Sequence, residues 1–276
     1  MRHTMAATDN DVILVDVEDG VATITLNRPD VYNAWNSEVQ TKLFGLFDTM
    51  AHDDDVRVVI ITGAGKAFSA GADMEILSEE DGGTGAGSRP LLAPMWFPKP
   101  VIAAINGACA GIGLQLALMC DVRIASQDAK FTTAFARRGL IAEHGLSWLF
   151  SRLTSLATAS ELLLSARVFK GDEAERLGVV HFAVPRDEVL DRANAYARDL
   201  ADNVSPTAMA VIKWQMYNHY DRPLIESMDH SDELMRASAA RPDLAEGVAS
   251  FLERRQPKFA PLDHSAVPPT TFAAKQ

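Results

Sequence analysis

The stretch AAINGACAGIGLQLALMCDVRIAS, residues 103–126, decides the fold. A strand-like lead, VIAAI (101–105), runs into the small-residue segment NGACAGIG (106–113). LQLALMC (114–120) follows with helical spacing, and DVRIAS (121–126) returns to strand. Strand, small-residue turn, helix and strand make a βαβ-like unit. The glycines let the chain turn tightly and let a second chain approach. The first N–H groups of the following helix have no internal acceptor, so they could face an anion or a developing oxyanion. Tight strand-to-helix packing explains one such segment equally well.

Working outward, the segment GAGKAFSAGADM (63–74) repeats the pattern after the buried strand VRVVIITG (56–63). Two such segments in one chain tilt the balance towards a site. Further upstream, VILVDVEDGVATITLNR (12–28) alternates with period two around Asp19-Gly20, which predicts a β-hairpin. Residues 37–51 switch to helical spacing through Val39, Leu43, Phe44, Leu46, Phe47 and Met50, with Asn36 or Ser37 as cap. SEEDGGTGAGSR (78–89) has no hydrophobic anchor and reads as a surface loop. Beyond Gly145 the chain turns mostly helical, with VVHFAV (179–184) as a strand. Pro185, Pro206, Pro223 and Pro242 stand near helix starts, where a missing N–H costs nothing. The pattern is α/β.

The chain has 276 residues, with 26 basic and 37 acidic side chains and a formal charge of −11. That balance argues against nucleic acid and anionic membrane as partners, both of which need surplus Lys and Arg. A small anionic ligand remains possible, because a few local cations can hold a phosphate. Cys109 and Cys120 form no CxxC and no ligand spacing, so neither a disulfide framework nor a metal site is expected. The 101–120 apolar run is too broken to span a membrane. MRHTMAATDN lacks the apolar middle of a signal peptide, and the expected location is cytoplasmic. Gly111-x-Gly113 is a poor dinucleotide fingerprint, because Leu116 stands where a third small residue belongs.

KAFSAGADM (66–74) together with residues 103–126 resembles the paired signature of the crotonase superfamily, which includes the enoyl-CoA hydratases and isomerases. NRPDVYNAWN (27–36), FTTAFARRGLIAEHGLSWLFSRL (131–153) and FLERRQPKF (251–259) are similar to that family's other landmarks, in the same order. The resemblance implies a crotonase-type spiral of ββα units over residues 1–200 and a C-terminal α-helical trimerisation region over 201–276. It implies a homotrimer or dimer of trimers. It also implies an acyl-CoA thioester substrate, with coenzyme A as part of the substrate rather than a separate cofactor. The family's oxyanion donors map to the N–H groups of Ala72 and Ile112. Ile112 replaces a common glycine, but only its N–H is needed. The nucleotide and pantetheine contacts map to Val31, Asn33, Ala70, Asp73 and Met74, largely through the main chain, and Arg254 matches a cationic contact to the phosphates.

The reaction depends on side chains. The two glutamates of typical hydratases in this family map to Gln115 and Phe135. An amide orients water but neither gives nor takes a proton near neutrality, and phenylalanine does neither. Glu143, eight residues past Phe135, matches the catalytic acid of several family isomerases, lyases and hydrolases. It is expected in a pocket lined by Ile141 and Phe135. His144 is the other titratable candidate, with a side chain expected to diverge from that of Glu143. Ser147 has no GxSxG elbow. The leading expectation is double-bond isomerisation with Glu143 as proton shuttle. An enoyl-CoA hydratase of atypical mechanism, a hydrolase or lyase of a β-keto thioester C–C bond, and a non-catalytic acyl-CoA binder stay open.

Overall fold

A computed structural model describes residues 3–4, 11–73 and 93–269. Met74 and the 78–89 loop lie outside the described residues. β1 (His3–Thr4) pairs antiparallel with β2 (Ile13–Glu18), and β2 with β3 (Val21–Leu26). Asp19 and Gly20 between them both take positive φ, 46° and 82°. Two left-handed residues match the right-handed twist of the strands they join, as the alternation of residues 12–28 led us to expect. Asn36 sits in extended conformation and accepts a hydrogen bond from the Val39 N–H, which caps α1 (Ser37–Ala51). Such a cap is worth about 1 kcal/mol. The buried face of α1 is Val39, Leu43, Phe44, Phe47 and Met50, each stabilising by roughly 1.5–3 kcal/mol through burial.

From this point the chain lays strands alternately in two sheets. β4 (Val58–Gly63) joins the first sheet, and β5 (Ala67–Ser69) begins the second. After α2 (Ala93–Trp96), β6 (Val101–Ile105) and β7 (Ala108–Ala110) repeat the step, followed by α3 (Ile112–Met119). β8 (Val122–Ser126) and β9 (Lys130–Thr132) repeat it again, followed by α4 (Leu146–Leu153) and α5 (Leu156–Ser165). β10 (Phe169–Lys170), α6 (Gly171–Arg176) and β11 (Phe182–Val184) close the series. The first sheet has the order β1-β2-β3-β4-β6-β8-β11, parallel from β3 onward, and the second β10-β9-β7-β5. One long strand, one short strand and a helix per turn make a ββα spiral, the crotonase fold that the resemblance implied.

Period two in the long strands sorts the two faces of the first sheet. Val59, Ile61, Val101, Ala103 and Ile105 face α1 and α3 in the main core. Val58, Ile60, Ile102, Ala104 and Ile124 face α7 (Val189–Asn203), through its Ala193, Ala197 and Ala201. Alanines four apart form a flat stripe, so the helix lies close on the sheet. Residue 200 lies within α7. The helical tail begins at α8 (Pro206–His219) and continues through α9 (Leu224–Ala239) and α10 (Pro242–Glu253). Lys213 anchors α8 below the sheet. Its buried ammonium donates to Pro94 O, Lys99 O and Asp121 Oδ2 at 2.6–3.0 Å.

Candidate functional site

The functional elements gather where β4 and β6 end. Asn106, just past β6, donates to Gly63 O (2.7 Å) and Gly65 O (3.2 Å), and so stitches the two small-residue links together. Beside them the chain bridges Trp35 to Ala72. The Trp35 N–H donates to Gly71 O, and the Asp73 N–H donates to Trp35 O. This arrangement uses Gly71 and Asp73 and leaves the N–H of Ala72 unused.

Gly71 and Gly111 touch. A Cβ on Gly111 would stand 3.8 Å from Gly71 Cα, and one on Gly71 would stand 3.2 Å from Ala110 O. Both have positive φ, 104° and 50°, a further reason for glycine at each. Ala72 and Ile112, each one residue past the contact, are thereby set side by side. Ile112 opens α3, so its N–H has no acceptor within the helix. Among the described residues neither N–H has a hydrogen-bond partner. Two adjacent unpaired donors, one of them at a helix N-terminus, can receive a developing negative charge. The isoleucine side chain is half-buried and leaves the donor intact.

Glu143 enters from the next turn of the spiral. The Leu146 N–H donates to Glu143 O at 2.8 Å, with φ of 47° at His144 and 76° at Gly145. Positive φ at both central residues defines a type I′ turn. Glycine tolerates this, and histidine does so better than most residues. The turn folds the His144 ring back, so that its Nε2 lies 3.5 Å from Glu143 Oε2. The two side chains meet instead of diverging, because a left-handed residue reverses the direction that an extended one would give.

Gln115, on α3 one turn past Ile112, is fully buried and donates from Nε2 to His144 O at 3.1 Å. The helix that opens at Ile112 thus also holds the turn that carries Glu143. Phe135 and Ala142, like Ile112, are partly buried and pack against the main core. Ile141 is 80% exposed, whereas Phe135 is partly buried. Ser147 is exposed on the first turn of α4.

The remaining expected contacts divide. Val31 and Ala70 are exposed beside the site, and the Ala70 N–H donates to Tyr32 O. Asn33 is buried, and its side chain is fully committed. Its Oδ1 accepts from Arg28 N, and its Nδ2 donates to Ala64 O and Ala67 O, all within 2.9 Å. It braces the 27–35 link against β5 and leaves only main-chain contact to a ligand. Asp73 pairs with Arg28 at 3.0 Å, and Arg28 also donates to Ala34 O. Arg254 caps α10 in left-handed conformation, exposed and with no ion-pair partner among the described residues. The segment after it is anchored by Arg57 donating to Phe259 O, before the first residue of β4, whereas the site lies past the last. Among the described residues no hydrogen bond or ion pair joins Arg254 to the site. Both thiols are free and buried, and burial pushes Cys120 up to about 12, which removes thiolate chemistry.

This geometry can be set beside known proteins. The family model of enoyl-CoA hydratase/isomerase matches residues 16–261. The chain is 34% identical to 1,2-epoxyphenylacetyl-CoA isomerase of Escherichia coli, covering 90% of this chain and 98% of that protein. It is also 34% identical to a probable enoyl-CoA hydratase of Mycobacterium bovis, with the same coverage. Among solved structures, an enoyl-CoA hydratase from Bacillus anthracis superposes with a TM-score of 0.85 at 30% identity, over 90% of this chain and 99% of that one. A spiral of ββα turns with two facing glycine links is thus the frame of an acyl-CoA enzyme. The chain belongs to the enoyl-CoA hydratase/isomerase family.

Proposed function

We propose that this enzyme moves a carbon–carbon double bond in an enoyl-CoA thioester, with Glu143 as proton shuttle and the Ala72 and Ile112 N–H groups as oxyanion hole. The observation that carries the reading is the Gly71–Gly111 contact, with the turn that bears Glu143 tied through Gln115 to the helix that opens at Ile112. In a 3-enoyl thioester the Glu143 carboxylate takes a proton from C2. The electron pair delocalises into a dienolate whose charge rests on the thioester oxygen, and the two N–H groups hold that oxygen. The same carboxyl group returns the proton to C4, leaving the 2-enoyl thioester and a regenerated carboxylate. Each preorganised donor is worth about 3–4 kcal/mol in such a transition state.

Neither Gln115 nor Phe135 supplies the second carboxylate that two-glutamate hydration uses, so water addition by that route is disfavoured. The approach of His144 to Glu143 favours a second reading, in which the pair activates water for hydration or for cleavage of a β-keto thioester. The exposed apolar residues of the tail, Leu224, Ile225, Met228, Val248, Phe251 and Leu252, support assembly as a trimer or dimer of trimers. Assays of 3-enoyl-CoA and 2-enoyl-CoA side by side separate the readings. Isomerisation is expected to dominate and to fall about 10²–10⁴-fold in Glu143→Gln, the usual range for a lost general base. Efficient hydration of crotonyl-CoA that survives Glu143→Ala would overturn the proposal.

A further inference from the structure

We infer that Gln115 is a positioning residue, one that sets the Glu143 carboxylate relative to the oxyanion donors through its hydrogen bond to the His144 carbonyl. This rests on the reading of Glu143 as proton shuttle. Gln115 is the one polar side chain in the helix sequence IGLQLALM, and it is completely buried. A buried amide is retained at a cost that leucine or methionine of similar size would avoid. Half of that cost is unrelieved, because Oε1 has no hydrogen-bond partner among the described residues. The other half is used on a single group, the His144 carbonyl at 3.1 Å.

That carbonyl belongs to the first left-handed residue of the 143–146 turn, a conformation histidine does not hold by preference. His144 and Gly145 are exposed, so packing does not fix the turn at its tip. Gln115 reaches it from the core, one helical turn after Ile112. The hydrogen bond therefore ties the spacing between base and oxyanion site to a rigid helix. A glutamate at this position would set carboxylate against carbonyl, acceptor facing acceptor. Where the family's hydratases place a carboxylate, this chain has an amide whose N–H holds the neighbouring turn.

The test is a double-mutant cycle of Gln115→Met with Glu143→Ala, assayed on 3-enoyl-CoA with kcat and KM separated. Gln115→Met should lower kcat roughly 10- to 100-fold, the scale of a misplacement near 1 Å, with KM within about threefold of wild type. In the Glu143→Ala background it should lower kcat no further. If Gln115→Met does not fold, Gln115→Asn keeps the amide one methylene short of the carbonyl and is expected to give the same result. A wild-type kcat in the Gln115 variant beside an inactive Glu143→Ala would overturn the positioning role alone. So would losses that multiply in the double variant. Undiminished kcat in Glu143→Ala would instead overturn the role of Glu143, and the positioning role with it.

Discussion

Gly113→Ala tests whether close packing of α3 against β5 sets the two main-chain donors. A Cβ on Gly113 would stand 2.5 Å from Ser69 O and 2.7 Å from Ser69 Cβ, against 3.4 Å for ordinary contact. Neither atom is the free end of a flexible side chain, so the start of α3 and the end of β5 must part by roughly 1 Å, the interval within which a well-packed contact turns to overlap. Ile112 is the residue before Gly113, and Ala72 lies three past Ser69. The separation therefore falls next to the two N–H groups. A 1 Å error at a reacting centre costs about 10²-fold, and loss of one oxyanion donor costs about 10²–10³-fold.

Expected, then, is a fall in kcat of roughly two orders of magnitude in 3-enoyl-CoA isomerisation. Overpacking should also cost about 1–3 kcal/mol of stability, read as a Tm lower by a few degrees. Assay at 15 °C keeps the variant folded, so the two effects separate. Gly45→Ala is the control: that glycine is exposed in mid-helix with nothing within 4 Å of its Cβ, and should gain up to about 1 kcal/mol with unchanged kcat. A Gly113→Ala enzyme with wild-type kcat would refute the reasoning, because the donors would then tolerate the displacement.

Two further perturbations address what holds the site. Asn33→Ala leaves Arg28 N, Ala64 O and Ala67 O without their partner; a loss of about 2–4 kcal/mol in urea unfolding is expected, at about 1–3 kcal/mol for each buried group not rescued by water. Lys99 lies buried with Nζ on Met50 O and Asp53 O, and burial pushes its pKa down to about 8. The folded state then binds fewer protons than the unfolded chain between about pH 8 and 10.4, so stability rises with pH through that window. Wild type should gain roughly 2–3 kcal/mol relative to Lys99→Met between pH 7.5 and 10.5, measured by urea unfolding, and a flat difference would contradict the shift.

The sequence made the first sheet legible because its strands bury alternate residues on two faces, and α1 because its apolar positions and cap agree. The second sheet was hidden. β5, β7, β9 and β10 have two or three residues each, too few to display a period, and the small residues of β5 and β7 resemble a turn. The glycine links were readable as close-approach segments, whereas their contact with each other is a product of the spiral. Asn33 could be found from sequence as a site neighbour, but not as a brace, since the same amide serves either task. The meeting of Glu143 and His144 depends on a left-handed histidine. Only Gly145 hinted at it, and a glycine there reads equally well as a helix start.

The placement of Glu143 also explains how one frame can host different proton chemistry. The proposed oxyanion pair is made of main-chain N–H groups, so a change from glycine to Ile112 leaves it standing. The proposed proton-handling group, Glu143, is a side chain, and a single substitution at such a position changes what is acid, base or inert. At the two positions that the resemblance matches to hydratase glutamates this chain carries Gln115 and Phe135, and Gln115 ties down the turn that bears Glu143. A carboxylate moved eight residues along the chain stays useful only if its turn is held in register with α3. On the proposed reading the chemistry needs both the Glu143 carboxylate and the hold that Gln115 keeps on its turn.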